Sequence, residues 1–199
     1  MISASNDLDE NLIASLKAQG ATINSWGVGT NLITSKDTPA FGGVYKLAAI
    51  EDKKTGEMIP KIKISENSEK VTNPGDKVIY RIYSKDTGKI VADLIALADE
   101  VYDVNEELLL FDPVEPWKKT LLPAGSYTMK QLLIPVFKDG ECVYKDRPTV
   151  RQLQQICASD MATLWEESRR LVNPHEVHVD LSRPLYDLKQ ELLDKYHRV

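Results

Sequence analysis

Apolar side chains at Leu8, Leu12, Ile13 and Leu16 recur at the spacing of one helical face, and Gly20 follows where a left-handed C-terminal cap is favoured. The pattern predicts a helix capped by Asn6-Asp7, with Asp9 and Glu10 in the first turn, where negative charge meets the positive end of the helix dipole. Short apolar runs at residues 2–5 and 21–26 predict strands on either side of it. Strand, helix and strand so close together make a βαβ unit, which implies parallel strands and a right-handed crossover. Parallel sheets are normally covered on both faces and built from several such units, so this one is expected to belong to a larger parallel assembly.

After Pro39 the rhythm changes to strands separated by turns. Residues 44–50, 59–64, 78–83 and 90–97 alternate or run apolar, and Lys54-Thr55-Gly56-Glu57, Asn73-Pro74-Gly75-Asp76 and Asp86-Thr87-Gly88-Lys89 lie between them. An antiparallel meander is expected. Residues 112–123 read as a proline-punctuated connection, and residues 131–137 and 142–144 as strands flanking the turn Lys138-Asp139-Gly140-Glu141. Thr149-Val150-Arg151-Gln152 has the spacing of a capping box and opens a helix whose stripe is Leu153, Ile156, Cys157, Met161, Leu164 and Leu171. That stripe is expected to be core or a subunit interface. Asn173-Pro174 stops the helix, residues 176–181 predict one more strand, and Ser182-Arg183-Pro184 introduces a C-terminal helix ending near Tyr196.

Composition narrows the partners. With 25 Lys+Arg against 30 Asp+Glu the formal charge is -5, and the signs are interspersed, so nucleic acid is not an expected partner. No apolar run approaches the ~20 residues that a membrane-spanning helix needs, and the N-terminus has no basic residue ahead of an apolar run. Cys142 and Cys157 fit no metal-ligand spacing and read as reduced thiols; a cytoplasmic location is expected.

The candidate chemistry centres on Gly27-Val28-Gly29-Thr30, which follows a predicted strand and precedes Asn31-Leu32-Ile33-Thr34. Glycines let the backbone approach a phosphate closely, successive N–H groups can point at its oxygens, and the Thr30 hydroxyl can add a hydrogen bond. Taken alone, the motif is better explained as a tight turn whose glycines only relieve strain. Asp7, Asp9 and Glu10 could meet Mg²⁺ together with a substrate pyrophosphate; acidic residues are also favourable at a helix start, and that reading is preferred for Asp9 and Glu10. His175 and His178, three apart on a predicted strand, would face opposite sides, so no metal site is assigned. Tyr45 and Lys46 could reach an active-site mouth or simply pack and be solvated. Trp117, Lys118 and Lys119 could form a partner patch, and a surface loop is the simpler reading.

Three stretches change the weight of the glycine loop. Ser3-Ala4-Ser5-Asn6-Asp7-Leu8-Asp9-Glu10, Trp26 to Thr34 and Phe41-Gly42-Gly43-Val44-Tyr45-Lys46-Leu47 together closely resemble the C-terminal half of nicotinate phosphoribosyltransferase. Tyr80-Arg81-Ile82-Tyr83, Ala92-Asp93-Leu94-Ile95 and residues 173–182 extend the resemblance toward the C-terminus. It implies an α/β fold: the C-terminal part of an irregular αβ, TIM-like barrel of the type II phosphoribosyltransferase kind over residues 1–40, an antiparallel β-rich region over 41–148, and C-terminal helices over 149–199. It also implies a transferase of NAD salvage that joins nicotinate to 5-phosphoribosyl 1-pyrophosphate with ATP hydrolysis, using Mg²⁺. By position in the motif, Gly27, Val28, Gly29 and Thr30 would hold the ribose 5-phosphate, with Ser5, Asn6, Asp7, Gly42, Gly43 and Tyr45 close to the substrate.

The histidine that the family phosphorylates lies upstream of these motifs. His175, His178 and His197 fall in no matching motif, so no catalytic residue is assigned, and the chain alone is expected to be an inactive C-terminal part. It would then associate with the missing half or with copies of itself. A subunit of a split enzyme, a non-catalytic phosphate- or nucleotide-binding module, and another phosphate-binding barrel enzyme such as an aldolase or a quinolinate-type transferase are the alternatives.

Overall fold

The computed structural model describes residues 1–40, 42–67 and 70–197, with side chains through Tyr196. Phe41 of the Phe41-Gly42-Gly43 stretch and the His197 side chain therefore lie outside the described residues. The fold is α/β, and its contacts divide it into two units: residues 1–45 with 171–173, and residues 46–170 with the chain from Pro174 onward.

In the first unit, β1 (Ser3–Ser5) pairs in parallel with β2 (Ser25–Gly27), placing Ser5 opposite Gly27. The crossover is α1 (Glu10–Ala18). Its cap is Asp9, not the predicted Asn6-Asp7: Asp9 has the extended backbone that a cap requires, and its carboxylate accepts from the Leu12 N–H at 2.7 Å. Asn6 and Asp7 instead turn the chain at positive φ, 89° and 45°. Gly20, at φ 84°, ends the helix in a Schellman arrangement: the Ala21 N–H donates to the Leu16 carbonyl and the Gly20 N–H to that of Lys17, both at 3.0 Å. A short α2 (Thr30–Ile33) follows β2. Leu8 is the one described residue of this unit that is fully buried.

The second unit begins with the small antiparallel ladder β3 (Ala49–Glu51) and β4 (Met58–Pro60), shorter than the strands predicted at 44–50 and 59–64. The main hairpin, β5 (Lys77–Ser84) and β6 (Ile90–Leu97), forms where the alternation and the Asp86–Lys89 turn predict it. Residues 112–123 are more than a connection. Two strands, β7 (Leu108–Phe111) and β8 (Lys119–Leu122), pair as a separate hairpin around that proline-containing turn. The strand expected at 131–137 lies earlier, as β9 (Tyr127–Gln131), because Pro135 has no N–H to give to a ladder. The miniature hairpin β10 (Phe137–Lys138) and β11 (Glu141–Cys142) turns on Asp139 and Gly140, both at positive φ, as its turn sequence predicts.

Helix α3 (Val150–Thr163) carries the expected capping box at Thr149, yet its stripe is not core: Leu153, Ile156 and Met161 are 50%, 49% and 44% exposed. The last strand, β12 (Val179–Leu181), joins β6 in parallel and completes a sheet of order β12-β6-β5-β9. Helix α4 (Arg183–His197) follows, and its Leu185 is completely buried. The core of this unit is Ile82, Ala92, Leu94, Leu108, Leu110 and Tyr127.

A polar cleft between two loops

The parallel pairing of β1 and β2 brings their C-terminal ends side by side, so the two loops that leave them are neighbours. Ser5, Asn6, Asp7 and Leu8 from the first and Gly27, Gly29, Thr30 and Asn31 from the second line one cleft of about 230 Å³. Its walls are mostly polar side chains and main chain.

Each glycine has its own role. A Cβ on Gly27 would lie 3.3 Å from the Ser5 Oγ and 3.4 Å from its Cβ, so the Ser5 side chain would have to give way by a few tenths of an ångström to admit one. Nothing lies within 4 Å of a Cβ built on Gly29, which leaves its main chain open to a ligand. Among the described residues, the amide N–H groups of Gly29, Thr30 and Asn31 donate to no protein acceptor outside regular structure, as expected at a helix start. The Asn31 side chain turns back and donates from Nδ2 to the Leu8 carbonyl at 2.9 Å, tying the second loop to the first. Sequence reasoning does not single out Asn31. An asparagine directly after Gly-x-Gly-Thr is the only trace it leaves.

Consecutive positive φ values at Asn6 and Asp7 mark backbone strain at the cleft, tolerated because short polar side chains enter the left-handed region most readily. Val28 faces a different hollow, which it shares with Asp9, Glu10 and Lys36. Gly42, Gly43 and Tyr45 are absent from the cleft wall, and Tyr45 is 93% exposed. His175 and His178 belong to the second unit, their rings edge to face at 6.0 Å, and among the described residues no three His, Cys, Asp or Glu side chains are grouped to hold a metal ion. Lys118 pairs with Glu115 on the exposed β7–β8 turn, beside a Trp117 that is 72% exposed. Both cysteines are free, and no described helix is long and apolar enough to cross a membrane.

Comparison with known proteins shows what the chain is similar to. Residues 76–189 match the family model described as the nicotinate phosphoribosyltransferase C-terminal domain. Nicotinate phosphoribosyltransferase of Bacillus subtilis (strain 168) is 43% identical over 188 residues, covering 94% of this chain and 37% of that protein. Its counterpart from Caenorhabditis elegans is 37% identical over 193 residues, covering 96% of this chain and 33% of that protein. The crystal structure of human nicotinic acid phosphoribosyltransferase superposes with a TM-score of 0.70 at 24% identity, over 97% of this chain and 33% of that one, which shows a shared fold. The chain thus spans about a third of the length of the curated relatives it matches. By its sequence match to the C-terminal domain and its identity to these enzymes, the chain belongs to the nicotinate phosphoribosyltransferase family.

Proposed function

We propose that this chain supplies the ribose 5-phosphate anchor of a nicotinate phosphoribosyltransferase, the enzyme that forms nicotinate mononucleotide and pyrophosphate from nicotinate and 5-phosphoribosyl 1-pyrophosphate in cytoplasmic NAD salvage. The observation that carries this reading is the polar cleft in which Ser5–Leu8 face Gly27 and Gly29–Asn31. Unclaimed N–H groups and the Thr30 hydroxyl are suited to phosphate oxygens, and Gly29 adds no side chain to keep the phosphate away. We take β1, α1 and β2 to be one βαβ unit of a TIM-like barrel, whose loops at the C-terminal ends of strands carry the site. Residues 41–148 and 149–199 are assigned to the β-rich and C-terminal helical parts.

Holding the 5-phosphate fixes the ribose so that its anomeric carbon meets nicotinate in a reproducible geometry, which removes part of the entropic barrier. Breaking the bond at that carbon builds positive charge on the ribose and negative charge on the departing pyrophosphate. Mg²⁺, if bound, would offset the charge of the departing pyrophosphate, and Asp7, the one carboxylate among the described residues of the cleft wall, would help to hold it. Ser5 and Asn6 would orient the ribose hydroxyls. Nicotinate recognition, ATP hydrolysis and its phosphorylated histidine are assigned to parts of family members outside the matched third, with which this chain would associate.

Titration of the 199-residue chain with ribose 5-phosphate, followed by amide chemical shifts, tests the anchor. Saturable shifts are expected at Gly27, Gly29, Thr30 and Asn31, with Thr30→Val weakening binding by ~tenfold, the equivalent of one hydrogen bond to a charged group. Shifts confined to other residues, or none, would sink the proposal.

A further inference from the structure

A hollow of about 240 Å³ lies within the second unit among β6, the β7–β8 hairpin and β12. Its apolar walls are Ala92, Leu110 and Phe111, each at most 3% exposed. Into this setting β12 brings a carboxylate. Asp180 pairs with Leu94 in the parallel register, and side chains of paired residues lie on the same sheet face, here the core face that also carries Ala92. Asp180 is only 7% exposed, and among the described residues its carboxylate accepts no hydrogen bond and joins no ion pair. No buried side-chain oxygen among the described residues lacks a partner, so the Asp180 oxygens are the part of the residue that opens into the hollow, where a ligand can reach them.

Asp112, at the end of β7, is the second acid on the wall. Its Oδ1 accepts from the N–H groups of Val114 and Glu115 at 2.7 and 3.0 Å, while Oδ2 has no recorded donor among the described residues. Lys118 at the mouth is engaged by Glu115. His178 and Lys119 are the other cationic candidates on the rim, and neither makes an ion pair with Asp180. The hollow has room for roughly eight waters at ~30 Å³ each, which is also the volume of a small aromatic molecule. Two acceptors over an apolar floor suit a flat, weakly hydrated, multi-donor cation better than a compact ammonium.

We propose that this hollow binds a small organic cation with a planar amidinium or guanidinium head, anchored on Asp180, with Asp112 as the second acceptor and Leu110 and Phe111 beneath its apolar body. The site does not depend on the phosphate cleft. Burial raises the Asp180 pKa above the usual carboxylate range, with His178 opposing the rise and Asp112 adding to it.

The test is calorimetric titration of the full chain with benzamidinium and, in parallel, with the peptide acetyl-Gly-Arg-Gly-amide, while Leu110 and Val91 methyl shifts locate the contact. Saturable binding of at least one, with shifts at those methyls and none with benzoate, is expected. Tighter benzamidinium binding identifies a free small molecule, whereas tighter peptide binding identifies an arginine presented by another polypeptide. Asp180→Asn should lose at least ~tenfold in affinity, as removal of a charge-assisted pair does. Lys119→Glu, at an exposed rim position that should not disturb folding, should tighten binding by ~twofold to fivefold. Binding of neither cation, equal binding of benzoate, or affinity unchanged in both variants overturns the proposal.

Discussion

The Asn31 carboxamide donates to the Leu8 carbonyl at 2.9 Å, and through that bond the loop after β2 is held against the loop after β1. Leu8 is buried while the rest of the cleft wall is not, so the contact ties an exposed loop to the one fully buried described residue of its unit. Asn31→Ala should cost ~1 kcal/mol in local order. The expected outcome is a several-fold weaker ribose 5-phosphate titration with an unchanged far-UV circular dichroism spectrum; undiminished affinity would show that the tie is dispensable.

Gly27 and Gly29 should respond differently to alanine. Gly27→Ala pushes a methyl group against Ser5, whose side chain is only 3.3 Å away, and should lower stability by ~1 kcal/mol and distort the cleft. Removing the obstacle in Gly27→Ala/Ser5→Gly should restore part of that loss. Gly29→Ala meets no atom within 4 Å, so stability should hold while phosphate affinity falls, because the new methyl group stands where a ligand would approach. Denaturation midpoints and phosphate titrations on the same four proteins check the pattern.

Glu100 is a hub of the second unit. It accepts from the Leu97 N–H at 2.7 Å and the Ser182 hydroxyl at 2.5 Å through one oxygen, and from the Tyr102 hydroxyl at 2.7 Å through the other. Ser182 in turn accepts from the Leu185 N–H and so starts α4. Glu100→Ala strands several partly buried donors and should cost ~2–3 kcal/mol, against ~1 kcal/mol for Glu100→Gln, which retains an acceptor. Urea midpoints will separate the two; equal losses would mean that the charge, and not the acceptor geometry, is what matters.

Asp180 makes stability depend on pH in a defined direction. Its folded pKa is raised, so the neutral acid is favoured in the native state and its contribution is fully present below the ordinary carboxylate pKa. That contribution is lost as pH rises from the ordinary value through the folded one, with Asp112 opposing ionisation and His178 favouring it. Asp180→Asn should therefore gain stability relative to the parent as pH climbs from acidic toward neutral. Thermal midpoints of the two proteins that run parallel across this range would contradict the assignment.

The exposed stripe of α3 should make the chain sticky. Leu153, Ile156 and Met161 form an apolar face about half open to solvent, so the chain should bind a hydrophobic dye or self-associate. Ile156→Lys should reduce dye binding without lowering the melting temperature, since the side chain it replaces contributes little to the core.

Local signals were legible wherever the physics is local. The capping box at Thr149, the left-handed glycine after α1, the positive-φ Asp139-Gly140 turn and the β5–β6 hairpin each depend on a few adjacent residues, and all are present. Other features were not legible locally. Asn6, Asp7 and Asp9 compete for the cap of α1, and only the backbone path shows that the first two turn the chain. An apolar run around Pro135 suggested a strand that the missing N–H forbids, and prolines near Val114 hid the β7–β8 hairpin.

The sequence by itself determined the βαβ opening, the glycine loop after its second strand and membership of a phosphoribosyltransferase family, because these reside in spacing, turn chemistry and motif. Tertiary structure alone decided that β12 returns to pair with β6, that Asn31 reaches Leu8, and that Asp180 comes to line the hollow beside Asp112. Each of these joins residues 23 or more positions apart in the chain or rests on what surrounds a side chain, and no local propensity encodes which distant segment arrives to enclose it.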